Sequence, residues 1–334
     1  MFQIYTEELE QAVFSEGPEI LNGKAVAKMM LLQLQGLSTA LQGLGITPKL
    51  AVVQIGNDIA SNVYIRHKVR ACAQIGIESE HIHKPTIDGE ALRNLLESLN
   101  RDASVHGILL QLPLPGEIDG AEALLAITPE KDVDGFHPVN LGGLMAGRAL
   151  LEPCTPRGVM TLLRAARVDL RGKRATVIGR SVIVGRPMSL MLARANATVT
   201  LCHRHTLGLE KEVARADVLV VATGMPGLVR GEWIKEGAVV IDVGISRVNS
   251  SLVGDVDFDG ARKRGALITP VPGGVGPMTV ATLMENTLRA TCIQNDLVLK
   301  NGHLLTAKEA GCVYDRLENL GYTRLSVLPH STGG

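Results

Sequence analysis

The sequence predicts an α/β protein of two α/β domains, the second a Rossmann-like parallel sheet, with a cleft between them. Two observations carry this reading. Between residues 173 and 271, short apolar runs alternate with helical patterns, as repeated βα units of a parallel, doubly wound sheet do. The chain has 334 residues, enough for two cores, and two Pro- and Gly-rich stretches punctuate it, PCTPRG at 153–158 and PVPGGVGP at 270–277. The expected division is 1–157, 158–277 and a C-terminal part, 278–334, that begins with a helix returning to the first domain.

The elements follow in order. Residues 25–44 carry helical apolar periodicity, and LAVVQI at 50–55 reads as a strand. Gly56, Asn57 and Asp58 supply turn and N-cap chemistry, so a helix is expected over about 60–76. GILLQL at 107–112 reads as a buried strand stopped by Pro113 and Pro115. The second domain offers strands at 175–179, 197–202, 217–222, 238–244 and 267–271, with helices at 187–195 and 209–216 between them. A long helix is expected over 278–295 and a weaker helical pattern over 306–320, and neither a low-complexity tract nor a solenoid repeat is present.

Composition narrows the partners. Thirty-four basic residues balance thirty-four acidic ones, and aromatics make up only 3%, so neither an electrostatic nucleic-acid face nor a stacking platform for single strands is expected. The five cysteines are widely spaced without a C-x-x-C pair, a pattern of buried thiols in a reducing compartment. The acidic start lacks an apolar leader and no run reaches membrane-span length. A cytoplasmic protein acting on small molecules, with no nucleic acid and no membrane, is the expectation.

Two segments carry chemistry. In GRSVIVGRP at 179–187, Gly179 closes a strand and Pro187 fits the first turn of a helix, so the loop aims backbone N–H groups and a helix dipole at one spot. The G-x-S-x-x-x-G-x-P spacing is not the usual dinucleotide fingerprint, and a plain turn is the competing reading. The next strand ends in CHRH at 202–205, where an NAD-binding fold usually places an acidic residue; Arg204, with Arg180 in the first loop, suits a 2′-phosphate and so favours NADP. A solvated Arg204 is the alternative, and His203 and His205 without a supporting carboxylate or thiol are poor evidence for a metal.

In SNVYIRHK at 61–68, Ser61, Tyr64 and Lys68 fall three and four residues apart and continue to Cys72 and Ile75, one stripe of a helix. A lysine in such a stripe is partly desolvated, which moves an ammonium toward the range useful for acid–base work. A snorkelling lysine and a packing tyrosine are the ordinary readings. Gln111, near the end of a buried strand, needs a partner or a ligand, and Asp134 in KDVDG at 131–135 either faces a ligand's N–H groups or forms an Asx turn before glycine.

Taken together, SNVYIRHK, QLPLP at 111–115, KDVDG, CTPRG at 154–158, the 179–187 turn and PGGVGPMT at 272–279 resemble the bifunctional methylenetetrahydrofolate dehydrogenase/methenyltetrahydrofolate cyclohydrolase (FolD) family from about residue 21 to 293. The resemblance implies a metal-free enzyme of one-carbon metabolism whose first domain binds folate and whose second binds NADP. It would oxidise 5,10-methylenetetrahydrofolate and then hydrolyse the methenyl product to 10-formyltetrahydrofolate. It implies Lys68 as acid/base of the hydrolysis, Gln111 bonded to it, and Tyr64 stacked on the folate. It further implies Asp134 at the pterin amino edge, Pro272, Gly273, Gly276 and Thr279 lining the cleft, and Gly179, Arg180, Ser181, Arg204 and Ile245 contacting NADP. A homodimer through the nucleotide-binding domains is also implied. Ile59 stands where many members have proline, and the N-terminal lead-in and the tail after about 295 lie outside the resemblance. A dehydrogenase with weak hydrolysis, and a non-catalytic folate- or nucleotide-binding regulator working through that tail, are the alternatives.

Overall fold

A computed structural model of the chain describes residues 7–116, 118–249, 251–300 and 303–306. It opens with helix α1 (Glu7–Val13), then α2 (Gly23–Gly43), β1 (Lys49–Ile55), α3 (Ile59–Ile75), β2 (Glu78–Lys84), α4 (Gly89–Arg101) and β3 (Gly107–Leu110). The three strands form a parallel sheet ordered β2-β1-β3. Strand alternation divides its residues between two cores: Leu50, Val52 and Leu109 pack on the side of α2 and α3, and Ala51, Val53 and Ile108 on the side of α4.

Helices α5 (Gly120–Leu125), α6 (Pro138–Met145) and α7 (Cys154–Ala165) lead to the second sheet. There β4 (Arg174–Ile178), α8 (Gly185–Arg194), β5 (Thr198–Cys202), α9 (Leu209–Ala214), β6 (Val218–Val221) and β7 (Val239–Asp242) follow the expected alternation. The hairpin β8 (Ser246–Val248) and β9 (Ser251–Val253), helix α10 (Phe258–Lys263) and β10 (Leu267–Ile268) complete it. The strand order is β10-β7-β6-β4-β5, all parallel. Counted within the domain this is 2-1-3-4-5 from the β5 edge, so the order reverses between β4 and β6 and the ligand crevice opens at their carboxyl ends.

Helix α11 (Val275–Gln294) lies against α2, α3 and α7 and joins the two halves. The expected borders at 157/158 and 277/278 fall inside α7 and α11. The N-terminal lead-in contains α1, whose Leu9 and Val13 are buried in the core beneath the second sheet. After α11 an antiparallel hairpin, β11 (Leu297–Lys300) and β12 (His303–Thr306), appears where no strand was expected; Thr306, the first residue of the expected 306–320 helix, ends β12, and 307–320 lie outside the described residues. No helix among the described residues is long and apolar enough to cross a membrane. Cys72, Cys154, Cys202 and Cys292 are buried free thiols, and Cys312 lies outside the described residues.

Candidate active site

The Tyr/Lys helix forms where the sequence places it. Asp58 caps α3 by accepting the Ser61 N–H at 2.7 Å, and Gly76 ends the helix in the left-handed conformation at φ 78°. Of the expected stripe, Ser61, Lys68, Cys72 and Ile75 are buried, and Tyr64 stands at the rim, 36% exposed. Lys68 is only 9% exposed, and its Nζ donates to Gln111 Oε1 at 3.0 Å. Gln111 in turn donates through Nε2 to the Leu112 carbonyl at 2.7 Å, which fixes its amide with the oxygen toward the lysine. Desolvation raises the Tyr64 phenol above its usual value, so it is a neutral donor at physiological pH.

Asp134 joins this cluster from the loop between α5 and α6. Burial pushes its carboxyl up to about 6, while the Lys68 ammonium pulls it down and the Asp132 carboxylate adds to the rise. The loop's shape is fixed by Asp132, which accepts from Gly135 N at 3.2 Å, His137 N at 2.8 Å and Asn140 Nδ2 at 3.0 Å. Asn286 of α11 clips it from behind, donating to Val133 O at 2.8 Å and Glu152 O at 2.9 Å. Cys154 is close by, but burial and the Asp134 charge raise its thiol well above the usual range, and Sγ donates to Val133 O at 3.2 Å. A protonated thiol so held is no nucleophile. Sequence reasoning missed Asn286; its only signal is a polar side chain within the buried run of a helix.

The turn at 270–274 and the start of α11 are tied to α2 and α7. Lys24 N donates to Gly273 O at 2.8 Å, and Thr155 and Thr279 share a 3.0 Å hydroxyl bond between α7 and α11. Pro272 and Gly276 are exposed there.

The 179–187 turn lies at the strand-order reversal. Gly179 has φ +113°, and a Cβ on it would collide with the Ala222 carbonyl oxygen, so only glycine lets β4 pass into the turn. Its N–H is used, donating to Cys202 O at 3.0 Å, so the free donors of the turn are those that follow it. Ser181 Oγ accepts from Val184 N at 3.1 Å and Gly185 N at 3.4 Å, which leaves its hydroxyl proton free to donate outward. The backbone N–H groups of Arg180, Ser181, Val182 and Ile183 have no partner among the described residues, and they sit at the N-terminus of α8. That is an anion cradle, and it fits a dinucleotide's phosphates. Arg204 is exposed on the adjoining loop, with Nε donating to His205 Nε2 at 3.1 Å. Ile245 is 44% exposed just past β7. No group of three or more metal-ligating side chains occurs among the described residues.

Residues 21–134 match the family described as tetrahydrofolate dehydrogenase/cyclohydrolase, catalytic domain, and residues 153–295 match its NAD(P)-binding domain. The chain is 52% identical over 274 residues to a bifunctional protein FolD of Geotalea uraniireducens, covering 81% of this chain and 98% of that protein. Among solved structures, the bifunctional FolD of Campylobacter jejuni has 47% identity and a TM-score of 0.80, covering 81% of this chain and 98% of its own. The Trypanosoma brucei methylenetetrahydrofolate dehydrogenase-cyclohydrolase, solved with NADP cofactor and inhibitor, has 43% identity and a TM-score of 0.78 over 81% of this chain and 96% of its own.

Proposed function

Since the chain belongs to the tetrahydrofolate dehydrogenase/cyclohydrolase family, we propose from its own residues how the two reactions of that family are divided within one cleft. The protein oxidises 5,10-methylenetetrahydrofolate to the methenyl form with NADP and hydrolyses the product to 10-formyltetrahydrofolate. The regulatory alternative is not favoured by the family match, which covers both catalytic and cofactor domains.

The single observation that carries the assignment of roles is the 3.0 Å bond between buried Lys68 and Gln111, beside Asp134 and below Tyr64. Asp134 takes the pterin's amino edge, and Tyr64 stacks on the folate, so that the bridging carbon is held over Lys68. NADP, when bound, accepts the hydride that leaves this carbon. The protein does little proton chemistry in that step, because the lone pair of the adjacent nitrogen stabilises the cation; it holds the donor and excludes misaligned poses. In the second step Lys68 Nζ moves the protons: water adds to the methenyl carbon, one of its protons ends on N5 as the carbon–N5 bond breaks, and the other leaves the site. Gln111 holds the Lys68 ammonium in reach of that carbon. Pro272, Gly273, Gly276 and Thr279 line the folate side of the cleft. Arg180 and Ser181 with the free N–H groups of the turn hold the diphosphate, Arg204 the 2′-phosphate, and Ile245 packs near the nicotinamide. A cytoplasmic homodimer joined through the nucleotide-binding domains completes the reading.

Purified protein given 5,10-methylenetetrahydrofolate with either NADP or NAD, with reduced cofactor and methenyl absorbance followed separately, tests this. Reduction of NADP with little methenyl accumulation is the expected result; folate binding without turnover would refute it. Arg204→Asp is expected to raise the KM for NADP by about tenfold or more through loss of one charge-assisted contact and introduction of like-charge repulsion, with NAD little affected. An unchanged NADP preference would remove Arg204 from the phosphate site.

Asp134 gives a pH prediction. As pH falls through about 6 its carboxyl protonates and no longer accepts the pterin N–H groups, so the KM for folate is expected to rise below that pH and to level off above it. Asp134→Asn should show a raised KM at every pH and no further rise on acidification; a wild-type KM that is flat between pH 5 and 8 would contradict the role.

A further inference from the structure

Two carboxylates beneath the cofactor side of the second sheet take part in no step described above. Asp255 is fully buried, and its Oδ2 collects three donors from the turn that ends β6: Thr223 N at 2.6 Å, Thr223 Oγ1 at 2.8 Å and Gly224 N at 2.9 Å. Asp242, at the end of β7 and also buried, accepts Gly244 N and Asp255 N on Oδ1, both at 3.0 Å, and Val256 N on Oδ2 at 2.9 Å. The two side chains thus tie three segments together: the turn after β6, the turn after β7, and the return that follows the β8–β9 hairpin. Asp255 Oδ1 has no hydrogen-bond partner and lies so close to Gly244 that a Cβ there would collide with the carboxylate.

Burying a carboxylate is costly, and packing alone does not call for one. Here the charge is matched by backbone N–H groups that belong to loops rather than to the sheet. Those loops stand at the carboxyl ends of β6 and β7, where a doubly wound fold binds its ligand. The turn after β6 abuts the 180–183 turn through the Ala222 carbonyl beside Gly179, and both turns carry exposed side chains, Met225 at 55% and Ile245 at 44%. We propose that Asp255, backed by Asp242, is a positioning residue that fixes the 223–225 and 243–245 turns as the seat of the nicotinamide half of the cofactor, and thereby governs oxidation and not hydrolysis.

This inference rests on the NADP-dependent reading, and the two activities of the one cleft supply the test. Asp255→Ala is expected to raise the KM for NADP about tenfold or more, from the loss of three bonds to a charged acceptor, while hydrolysis of supplied methenyltetrahydrofolate stays within about twofold. Asp255→Asn retains an oxygen for the same donors and should recover most of the lost affinity. Should the alanine variant not fold, Thr223→Val removes one of the three bonds and is expected to raise the KM for NADP about threefold with hydrolysis unchanged. Parallel losses of both activities would make Asp255 merely structural and overturn the proposal, as would an unaltered KM. A wild-type protein that does not reduce NADP at all overturns the underlying reading as well, whereas wild-type turnover with an insensitive Asp255→Ala overturns the positioning role alone.

Discussion

Replacing Lys68 with methionine is expected to stop the hydrolytic half of the reaction while oxidation continues, so that the variant supplied with 5,10-methylenetetrahydrofolate and NADP accumulates the methenyl compound. The two side chains are of similar length, and the site is only 9% exposed, so methionine fills the space and removes the ammonium alone. The direct structural cost is one lost bond from a charged donor, Gln111 Oε1 having been the acceptor at 3.0 Å, or about 1.5–3 kcal/mol. The chemical cost is larger: a positioned acid/base is worth about 10²–10⁴ in rate. Hydride departure makes no such demand, since the developing cation is stabilised within the substrate. Separate initial rates for NADP reduction and methenyl disappearance check this. Equal reductions in both rates, with a raised KM for folate, would show that Lys68 binds the substrate and does not move its proton.

The residues of this pair were legible in the sequence because the helix makes them so. Ser61, Tyr64 and Lys68 share a face by spacing alone, and Asp58 and Gly76 mark the two ends of that helix by their own chemistry. The second sheet was equally readable, since strands covered on both faces run apolar almost without interruption and βα alternation implies the parallel order. What spacing does not reveal is which distant residues meet. That Gln111 reaches Lys68 follows from β3 lying beside β1 with α3 packed over them, and that Asp134 feels the lysine's charge follows from a loop shaped by Asp132 and clipped by Asn286. On its residues alone, an Asx turn before glycine is the better reading of Asp134.

The same limit hides two elements and the free donors of one turn. Strand β2, ESEHIHK, has a weak apolar pattern because it is an edge strand with much of its length exposed, so periodicity does not mark it. The β11–β12 hairpin joins strands of four residues each, too short for periodicity to separate from other structure. In the 179–187 turn the Gly179 N–H is satisfied by Cys202 O and the turn needs its positive φ, while the N–H groups left over belong to the four residues that follow. Sequence identifies the loop, and only the hydrogen bonds say which of its donors remain available.

Arg157→Met is expected to destabilise the protein by about 3–5 kcal/mol, the cost of leaving buried carboxylates without their partner. Arg157 is buried in α7 and bonds Glu285 of α11 through Nε at 3.1 Å and Nη2 at 2.5 Å, and Glu152 through Nη1 at 2.6 Å. Arg194 of α8 reaches the other oxygen of Glu152 at 3.2 Å, so one network ties helices of the second sheet to the long helix that lines the cleft. Burial works against the Arg157 charge, but the two glutamates hold the guanidinium above its ordinary value. Glu152 shows the complementary shift: burial opposes its ionisation, yet Arg157 and its other cationic neighbours keep its carboxyl below the usual value. A depressed carboxylate contributes its stability above the unfolded-state pKa and loses it as pH falls through the lower folded value. The wild type should therefore lose stability on acidification below the ordinary carboxylate range, and the Arg157→Met variant should lose less over the same interval, having already lost the partner. Converting Glu285 to methionine alongside Arg157 should recover part of the loss, because an apolar pair needs no counter-charge. Denaturant unfolding of the three proteins at neutral and acidic pH decides the matter: a single-variant cost under about 1 kcal/mol would place this network with exposed ion pairs and deny it the role of joining the two halves of the cleft.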